Sequence, residues 1–273
     1  MDRKELHLLG LEMAGRVSLS GVQAKLSLGF EGRKTLRVSS TGSRYILKPE
    51  SGPYPELPAN EQLALKLAEA MGVHVATSGL VRLDDGSLAL LSKRFDRTPK
   101  GNRLAMEDFC QLQDRLPREK YQGSLEGCAK TLHAFASAPL LDAAQLFLQC
   151  LASWWIGNGD LHLKNLSLLA TKGRHILAPA YDVLCTAAVI PEDSFALTLA
   201  GKRSNFKPAD WKDFANRCGL PPKVATKAIQ KAAASRPKLQ ELIESAPLSE
   251  TIRDRIQETI DSRSELIEEL ANL

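Results

Sequence analysis

The segment Trp154–Asn165 reads WWIGNGDLHLKN and brings an acid, a histidine, a lysine and an amide together within its last six residues. The residues that lead into it, 142–155, read DAAQLFLQCLASWW and are apolar nearly all round, which predicts a buried central helix. Gly157 and Gly159 predict a turn directly after this helix. The polar side chains are thus delivered from the end of a buried helix, where we expect the chemistry of the molecule.

The composition is that of an ordinary globular protein, with 44% hydrophobic and 25% charged residues in a chain of 273. No apolar run approaches the roughly 18 residues needed to cross a bilayer, and the N-terminus lacks the pattern of a signal peptide. We therefore expect a cytoplasmic protein without a membrane partner. A formal net charge of +4 is too small to predict direct nucleic-acid binding. The five cysteines never form a CxxC pair, which argues against a zinc site or a disulfide framework.

The N-terminal part of the chain predicts a small antiparallel sheet and one helix. A helix is expected over Ala59–Met71, with Asn60 as its N-cap. Glu61 would either lie in the first turn of this helix or pair with Lys48, and the sequence favours neither. The segment GRVSLSGVQAK (15–25) is either a plain hairpin turn or a phosphate-binding loop. The predicted strands are LSLGF (26–30), Lys34–Val38, Arg44–Lys48, Ser78–Leu83 and Ser87–Phe95, the last two joined by a tight turn at Asp84-Asp85-Gly86.

The remainder of the chain predicts mainly helices. Two short strands are expected at Asn165–Leu169 and His175–Leu177, and Asp182 follows this small hairpin. The predicted helices cover Leu104–Gln113, Gly123–Ala136, Asp142–Trp155 and several amphipathic segments from Lys207 to the end.

The polar residues follow the order found in protein kinases. Asp160 and Asn165 stand five positions apart, the separation between the catalytic base and the metal-binding amide of a kinase catalytic loop. A hairpin and then Asp182 follow, as a hairpin and the second metal-binding aspartate do in kinases. Lys48, at the end of the strand YILK, resembles the strand lysine that contacts nucleotide phosphates. Order and spacing together predict phosphoryl transfer.

These segments resemble the HipA-like bacterial toxin serine/threonine kinases of the type II toxin–antitoxin systems. The resemblance covers about Arg16–Phe206 and implies an α+β, two-lobed, protein-kinase-like fold of the HipA/PI3K-4K-like type. A small β-rich N-lobe (1–96) and a larger all-helical C-lobe (97–273) would hold the active site between them. The matching motifs, in order, are RVSLSGVQAKLSL, YILKP, NEQLALKLAEAMGV, KRFDR, MEDFCQ, GNGDLHLKN and LAPAYDVL.

The resemblance implies a role for each matching residue, with ATP and Mg²⁺ as cofactors. Asp160 would be the general base, His162 would stiffen the loop, and Asn165 and Asp182 would bind Mg²⁺. Ser18 and Ser20 would be autophosphorylation sites, where about −1.5 to −2 added charges would repel the phosphates of ATP. The expected nucleotide-binding residues are Ser20, Gly21, Val22, Gln23, Lys25, Lys48, Glu61, Lys93, Phe95 and Asp182.

The resemblance also implies partners. Because only about fifteen residues precede Arg16, the chain is most similar to the short HipT form, whose missing N-terminal piece is a separate small protein, HipS. A HipB-like DNA-binding antitoxin would complete the system, and a truncated longer protein is the alternative explanation. The implied substrate is an aminoacyl-tRNA synthetase, tryptophanyl in preference to glutamyl.

Two other functions stay open. A metallophosphoesterase could use Asp160 and His162 as a metal pair, but such sites need several more histidines, and this chain has five with none in an HxH arrangement. A pseudokinase that binds only nucleotide or antitoxin is the other, although the intact set of Lys48, Asp160, Asn165 and Asp182 argues against it. A metal-dependent phosphatase assay tests the first, and toxicity lost on changing Asp160 alone excludes the second.

Overall fold

The structure is a computed structural model that describes residues 25–31, 35–39, 43–50, 53–190 and 193–272. It divides into two compact units. The first comprises the described residues of Met1–Gln62 together with Ala76–Leu104, and the second comprises Leu63–Val75 and the described residues of Ala105–Leu273. The sequence had suggested a division after residue 96, whereas the first unit extends to Leu104 and the second also takes up residues 63–75.

The first unit is built on a five-stranded antiparallel sheet with the strand order β2-β1-β3-β5-β4. Side chains alternate between the two faces of the sheet, and on one face Leu26, Leu28, Leu47 and Ala89 form a core. Residues on the other face, among them Lys48 and Leu90, are buried as well. The predicted turn at Asp84-Asp85-Gly86 joins β4 to β5, and Gly86 takes the positive φ of 83° that favours glycine. The strands are β1 (Leu26–Glu31), β2 (Thr35–Val38), β3 (Tyr45–Pro49), β4 (Ser78–Arg82) and β5 (Leu88–Lys93).

Helix α1 (Leu57–Ala70) begins two residues before the predicted start. Asn60 is therefore not its N-cap, because it lies inside the first turn, is fully buried, and donates its backbone N–H to the carbonyl of Glu56 at 2.9 Å. The N-cap prediction was wrong because Leu57 and Pro58 also accept helical geometry, and proline is well suited to the start of a helix.

The second unit is mainly helical but not all-helical, since it contains a three-stranded antiparallel sheet in the order β6-β7-β8. Its strands are β6 (Met106–Asp108), β7 (Ser167–Thr171) and β8 (Arg174–Leu177). The helix predicted over Leu104–Gln113 was wrong in its first half. Met106–Asp108 pairs with Leu169–Ser167 instead, and this long-range ladder overrides the local helical pattern.

The helices of the second unit surround one buried helix. That helix is α4, which spans Pro139–Ile156 and buries an unbroken run from Leu146 to Ile156, as its apolar sequence predicts. In the part of the chain that the structure describes, no helix is both long and apolar enough to cross a membrane. The other helices are α2 (Phe109–Leu112), α3 (Leu125–Phe135), α5 (Pro208–Arg217), α6 (Pro222–Ala233), α7 (Arg236–Glu244) and α8 (Glu250–Ala271).

Candidate active site

The GNGD segment forms the turn after α4. Gly157 ends the helix in the left-handed conformation with φ 86°, and a side chain there would collide with Thr259. Asn158 is buried, and its Oδ1 atom accepts the backbone N–H of Asp160 at 3.2 Å. The N–H of Gly159 donates to the Thr186 hydroxyl at 2.6 Å. Each residue of the turn is thus held by a backbone hydrogen bond or by close packing, which fixes the backbone that carries Asp160.

The Asp160 carboxylate is partly accessible to solvent, with 44% of its side chain exposed. Its Oδ1 atom accepts a hydrogen bond of 2.7 Å from the hydroxyl of Tyr121. Its Oδ2 atom lies 4.0 Å from Nε2 of His162. A general base must be able to reach the proton of its substrate, so the exposure of this carboxylate is compatible with the predicted role of Asp160, which stays a prediction. Sequence reasoning missed Tyr121, because no motif marks it.

His162 is buried, and its ring packs against neighbouring side chains instead of facing solvent. Burial lowers the pKa of His162, against the raising effect of the nearby charges of Asp160 and Asp182. The ring meets Tyr121 edge-on, with the two ring centres 5.2 Å apart. A neutral, packed imidazole fits the predicted stiffening role, which stays a prediction.

Tyr181, the residue before Asp182, is hydrogen-bonded to the predicted catalytic loop, residues 157–165. Tyr181 donates its hydroxyl to the carbonyl of Lys164 at 2.8 Å and lies 2.5 Å from the Ser167 hydroxyl. It therefore ties the residue before Asp182 to the residue before Asn165. Asp182 itself has a positive φ of 52°, an uncommon conformation that Asp tolerates better than most residues. The sequence drew attention to Asp182 and overlooked its neighbour.

Asn165 is oriented by its own loop. Its Nδ2 atom donates to the carbonyl of Asp160 at 3.0 Å, which leaves Oδ1 as the side-chain atom suited to a cation. An amide oxygen and a carboxylate are hard donors of the kind that Mg²⁺ takes beside substrate phosphates, so Asn165 and Asp182 fit the predicted ion. Within the described residues, no group of three or more His, Cys, Asp or Glu could hold a metal.

Lys164, the remaining charged residue of the loop, is engaged elsewhere. Its ammonium lies 2.6 Å from Oδ2 of Asp108, the N-cap of helix α2. The other carboxylate oxygen of Asp108 accepts the N–H of Gln111 at 2.9 Å. The motif MEDFCQ thus contributes a structural anchor for the catalytic loop.

Lys48 and Glu61 form a buried ion pair within the first unit. The Lys48 ammonium lies 2.6 Å and 2.8 Å from the two carboxylate oxygens of Glu61, and both side chains are almost fully enclosed. The sequence left open whether Glu61 lies in the first turn of helix α1 or pairs with Lys48, and the structure shows the pairing with Lys48. Such a pair holds a lysine ready for phosphate in kinases.

The other predicted nucleotide-binding residues are less well defined. Lys93 ends β5 with an exposed side chain, and its N–H already donates to the carbonyl of Thr77 at 2.8 Å. That N–H is therefore not available to an adenine ring, whereas Phe95 is partly buried two residues further on. Lys25 is the first described residue and precedes β1. The predictions for Ser18, Ser20, Gly21, Val22 and Gln23 lie outside the described residues.

The antiparallel sheet followed by helices, with a loop of acid, histidine and amide, defines an α+β protein of the kinase-like fold. The chain belongs to the HipA-like C-terminal domain family, whose model matches residues 17–239.

The chain is 37% identical over 203 residues to the candidate kinase Y4dM of Sinorhizobium fredii, covering 68% of this chain and 49% of that protein. It is 29% identical over 189 residues to the serine/threonine-protein kinase toxin HipA of Shewanella oneidensis, covering 62% and 43%. The chain spans about half the length of the curated relatives it matches.

Solved structures agree on the fold. A chain in the complex of Shewanella oneidensis HipA, HipB and operator DNA has a TM-score of 0.76 at 23% identity, covering 94% of this chain and 67% of that one. The Helicobacter pylori proinflammatory kinase CtkA has a TM-score of 0.65 at 16% identity, covering 94% and 93%. At these identities the two structures establish the fold alone.

Proposed function

We propose that this chain is an ATP-dependent serine/threonine protein kinase that acts as the toxin of a bacterial type II toxin–antitoxin system. The observation that carries the proposal is the pair of hydrogen bonds at the Tyr181 hydroxyl. They connect the residue before Asp182 to Lys164 in the loop of Asp160 and Asn165 and to Ser167 just after it. The Lys48–Glu61 pair of the first unit supports it as well. In this proposal Lys48, Asp160, Asn165 and Asp182 occupy the four functional positions of a kinase.

In the proposed reaction, the oxygen of a serine or threonine hydroxyl bonds to the γ-phosphorus of ATP. The bond between that phosphorus and the β–γ bridging oxygen breaks, and ADP leaves with the bridging oxygen. Asp160 orients the hydroxyl and accepts its proton. Lys48, held by Glu61, offsets the charge of the nucleotide phosphates. Mg²⁺, when bound by Asn165 and Asp182, supplies further neutralisation of that charge.

The partners of this chain are part of the proposal. The HipA relative of known structure is in a complex with HipB and operator DNA, which supports a HipB-like antitoxin here. By family resemblance, the substrate is an aminoacyl-tRNA synthetase, tryptophanyl in preference to glutamyl, and a HipS-like small protein completes the system. Such a target places the action in the cytoplasm. Phosphorylation of Ser18 or Ser20 would inactivate the kinase by repelling ATP phosphates.

The test uses γ-³²P-ATP, Mg²⁺ and the proteins of a bacterial lysate as acceptors. The wild-type chain should label a discrete protein, to be identified by mass spectrometry. Asp160→Asn and Asp182→Asn should each lower the labelling rate by about 10²-fold or more. Asp213→Asn, which makes the same change on the exposed side of helix α5, should not. Undiminished labelling by folded Asp160→Asn would refute the kinase assignment.

Nucleotide binding is tested separately. Lys48→Met should weaken ATP binding, measured by calorimetry in the presence of Mg²⁺, because it removes the cation that we propose contacts the phosphates. It also removes the ion-pair partner that Lys48 provides to the buried carboxylate of Glu61. Lys66→Met, an exposed lysine on helix α1, is the matched control. A chain that binds ATP tightly but transfers no phosphate would instead be a pseudokinase.

A further inference from the structure

The hydroxyl of Tyr121 is the direct hydrogen-bond donor to the Asp160 carboxylate. We propose that Tyr121 is a positioning residue that fixes the Asp160 carboxylate through Oδ1 and leaves Oδ2 to receive the proton of the substrate hydroxyl. The inference rests on the proposed kinase function, and it adds a residue that none of the kinase motifs contains.

The inference rests on the different surroundings of the two carboxylate oxygens of Asp160. Oδ1 accepts the Tyr121 hydroxyl at 2.7 Å, whereas among the described residues the contact of Oδ2 is with Nε2 of His162 at 4.0 Å. Nearly half of the Asp160 side chain is exposed, so packing covers only part of it and restricts its rotation only in part. The bond from Tyr121 is therefore what selects one orientation of the carboxylate.

Tyr121 is itself held on several sides. The carbonyl of the preceding residue, Lys120, accepts the N–H of Leu163 at 3.1 Å, which joins this segment to the catalytic loop. Arg203 donates to the Tyr121 carbonyl at 3.0 Å. The ring also packs edge-on against His162. A residue anchored in this way can transmit a fixed position to the carboxylate it bonds.

The Tyr121 hydroxyl stays protonated at neutral pH. Burial raises the pKa of Tyr121, and its hydrogen bond to Asp160 and the charge of that carboxylate raise it further. The hydroxyl therefore remains a donor at neutral and moderately alkaline pH. A second interpretation, that the tyrosine occupies the place of the substrate hydroxyl and inhibits the enzyme, predicts the opposite effect of removing it.

The experiment compares Tyr121→Phe, Tyr54→Phe and Asp160→Asn with the wild-type chain in the labelling assay with lysate proteins. Tyr54 is 40% exposed and Tyr121 is 39% exposed, so the two tyrosine variants change residues of equal overall exposure. Tyr121→Phe should lower kcat by roughly ten- to hundredfold, the value of a hydrogen bond to a charged group. The KM for ATP and the unfolding temperature should stay within twofold and two degrees of wild type, roughly the scatter of such measurements. Tyr54→Phe should match wild type.

The outcomes separate the two proposals. If Asp160→Asn is inactive while Tyr121→Phe keeps the wild-type kcat, the kinase function stands and the positioning role is rejected. A higher kcat for Tyr121→Phe would also reject it, in favour of inhibition by the tyrosine. A rise in the KM for ATP or a fall in unfolding temperature that accounts for the whole loss would make the role structural. Undiminished activity of Asp160→Asn would overturn the proposed function itself.

Discussion

The ammonium of Lys164 lies 2.6 Å from Oδ2 of Asp108, so an aspartate that caps helix α2 also holds the lysine of the catalytic loop. The two carboxylate oxygens of Asp108 have different partners, since Oδ1 accepts the N–H of Gln111 and Oδ2 accepts the ammonium of Lys164. Asp108→Asn should keep the cap and lose the ion pair, and Asp108→Ala should lose both. We expect the free energy of unfolding to fall by about 1–2 kcal/mol in the first variant and by about 1 kcal/mol more in the second.

Urea denaturation of the three chains measures these differences. Transfer activity should fall in both variants, because Lys164 is adjacent to Asn165 and its anchor fixes the loop. Equal stability of the two variants would mean that the cap contributes nothing, and an Asp108→Asn chain as stable and active as wild type would contradict the anchoring role.

Tyr181 should control the affinity for Mg²⁺ through Asp182. Tyr181→Phe removes the bonds to the Lys164 carbonyl and the Ser167 hydroxyl. Ser167→Ala removes only one of these partners and serves as a graded control. We expect Tyr181→Phe to raise the Mg²⁺ concentration needed for half-maximal transfer by about tenfold, the size of effect usual for a residue that orients a metal ligand, and Ser167→Ala to raise it less.

The measurement is a Mg²⁺ titration of the labelling rate at saturating ATP. If both variants required the same Mg²⁺ concentration as wild type, the segment before Asp182 would not depend on these bonds, and the proposed link between Asn165 and Asp182 would fail.

Patterns confined to one segment were predictable from the sequence. The buried helix α4, the hairpin around Gly86 and the spacing of Asp160 and Asn165 each follow from residues close together in the chain. A local pattern also produced the wrong helix boundary. Met106–Asp108 lies in a segment, Leu104–Gln113, whose pattern predicts a helix, and it forms a strand by pairing with β7.

The supporting residues of the site were not predictable in this way. Tyr121 and Asp160 are 39 positions apart, Asp108 and Lys164 are 56 apart, and Tyr181 and Lys164 are 17 apart. Tyrosine and aspartate have many ordinary surface roles, so neither residue type nor spacing singles these out. Only the tertiary fold brings each of them to the catalytic loop.

Asp96 should make the stability of the first unit depend on pH. Its carboxylate accepts two bonds from Arg94, at 2.9 Å and 2.7 Å, and lies 2.5 Å from Arg97. Burial acts to raise the pKa of Asp96, but the bonds and charges of the two arginines outweigh it, and the pKa lies below its usual value. The stabilisation is therefore fully present above the unfolded-state pKa of about 3.9 and is lost as the pH falls through the folded-state value.

Asp96→Asn should lower the free energy of unfolding at pH 7 by about 2 kcal/mol. The difference from wild type should shrink below about pH 4, where the carboxylate of the unfolded wild-type chain is protonated. Asp261→Asn breaks an exposed Arg–Asp pair with Arg236 and should cost less than about 1 kcal/mol at either pH. A difference between wild type and Asp96→Asn that is independent of pH would contradict the ion-pair explanation.

A side chain at Gly159 should be unfavourable, because its Cβ atom would overlap the carboxylate of Asp193. That carboxylate accepts a hydrogen bond from the Thr186 hydroxyl, which restrains it from moving aside. Gly159→Ala is therefore expected to displace the turn that carries Asp160 and to lower transfer activity by at least about tenfold, a small displacement of a catalytic group being costly. At Gly79 in β4 an added Cβ atom would meet no atom of the described residues within 4 Å, so Gly79→Ala should leave activity unchanged. The double variant Gly159→Ala, Asp193→Ala removes the overlapping carboxylate and should regain part of the activity relative to Gly159→Ala alone. Activity that is no higher in the double variant would show that steric overlap with Asp193 is not why residue 159 is a glycine.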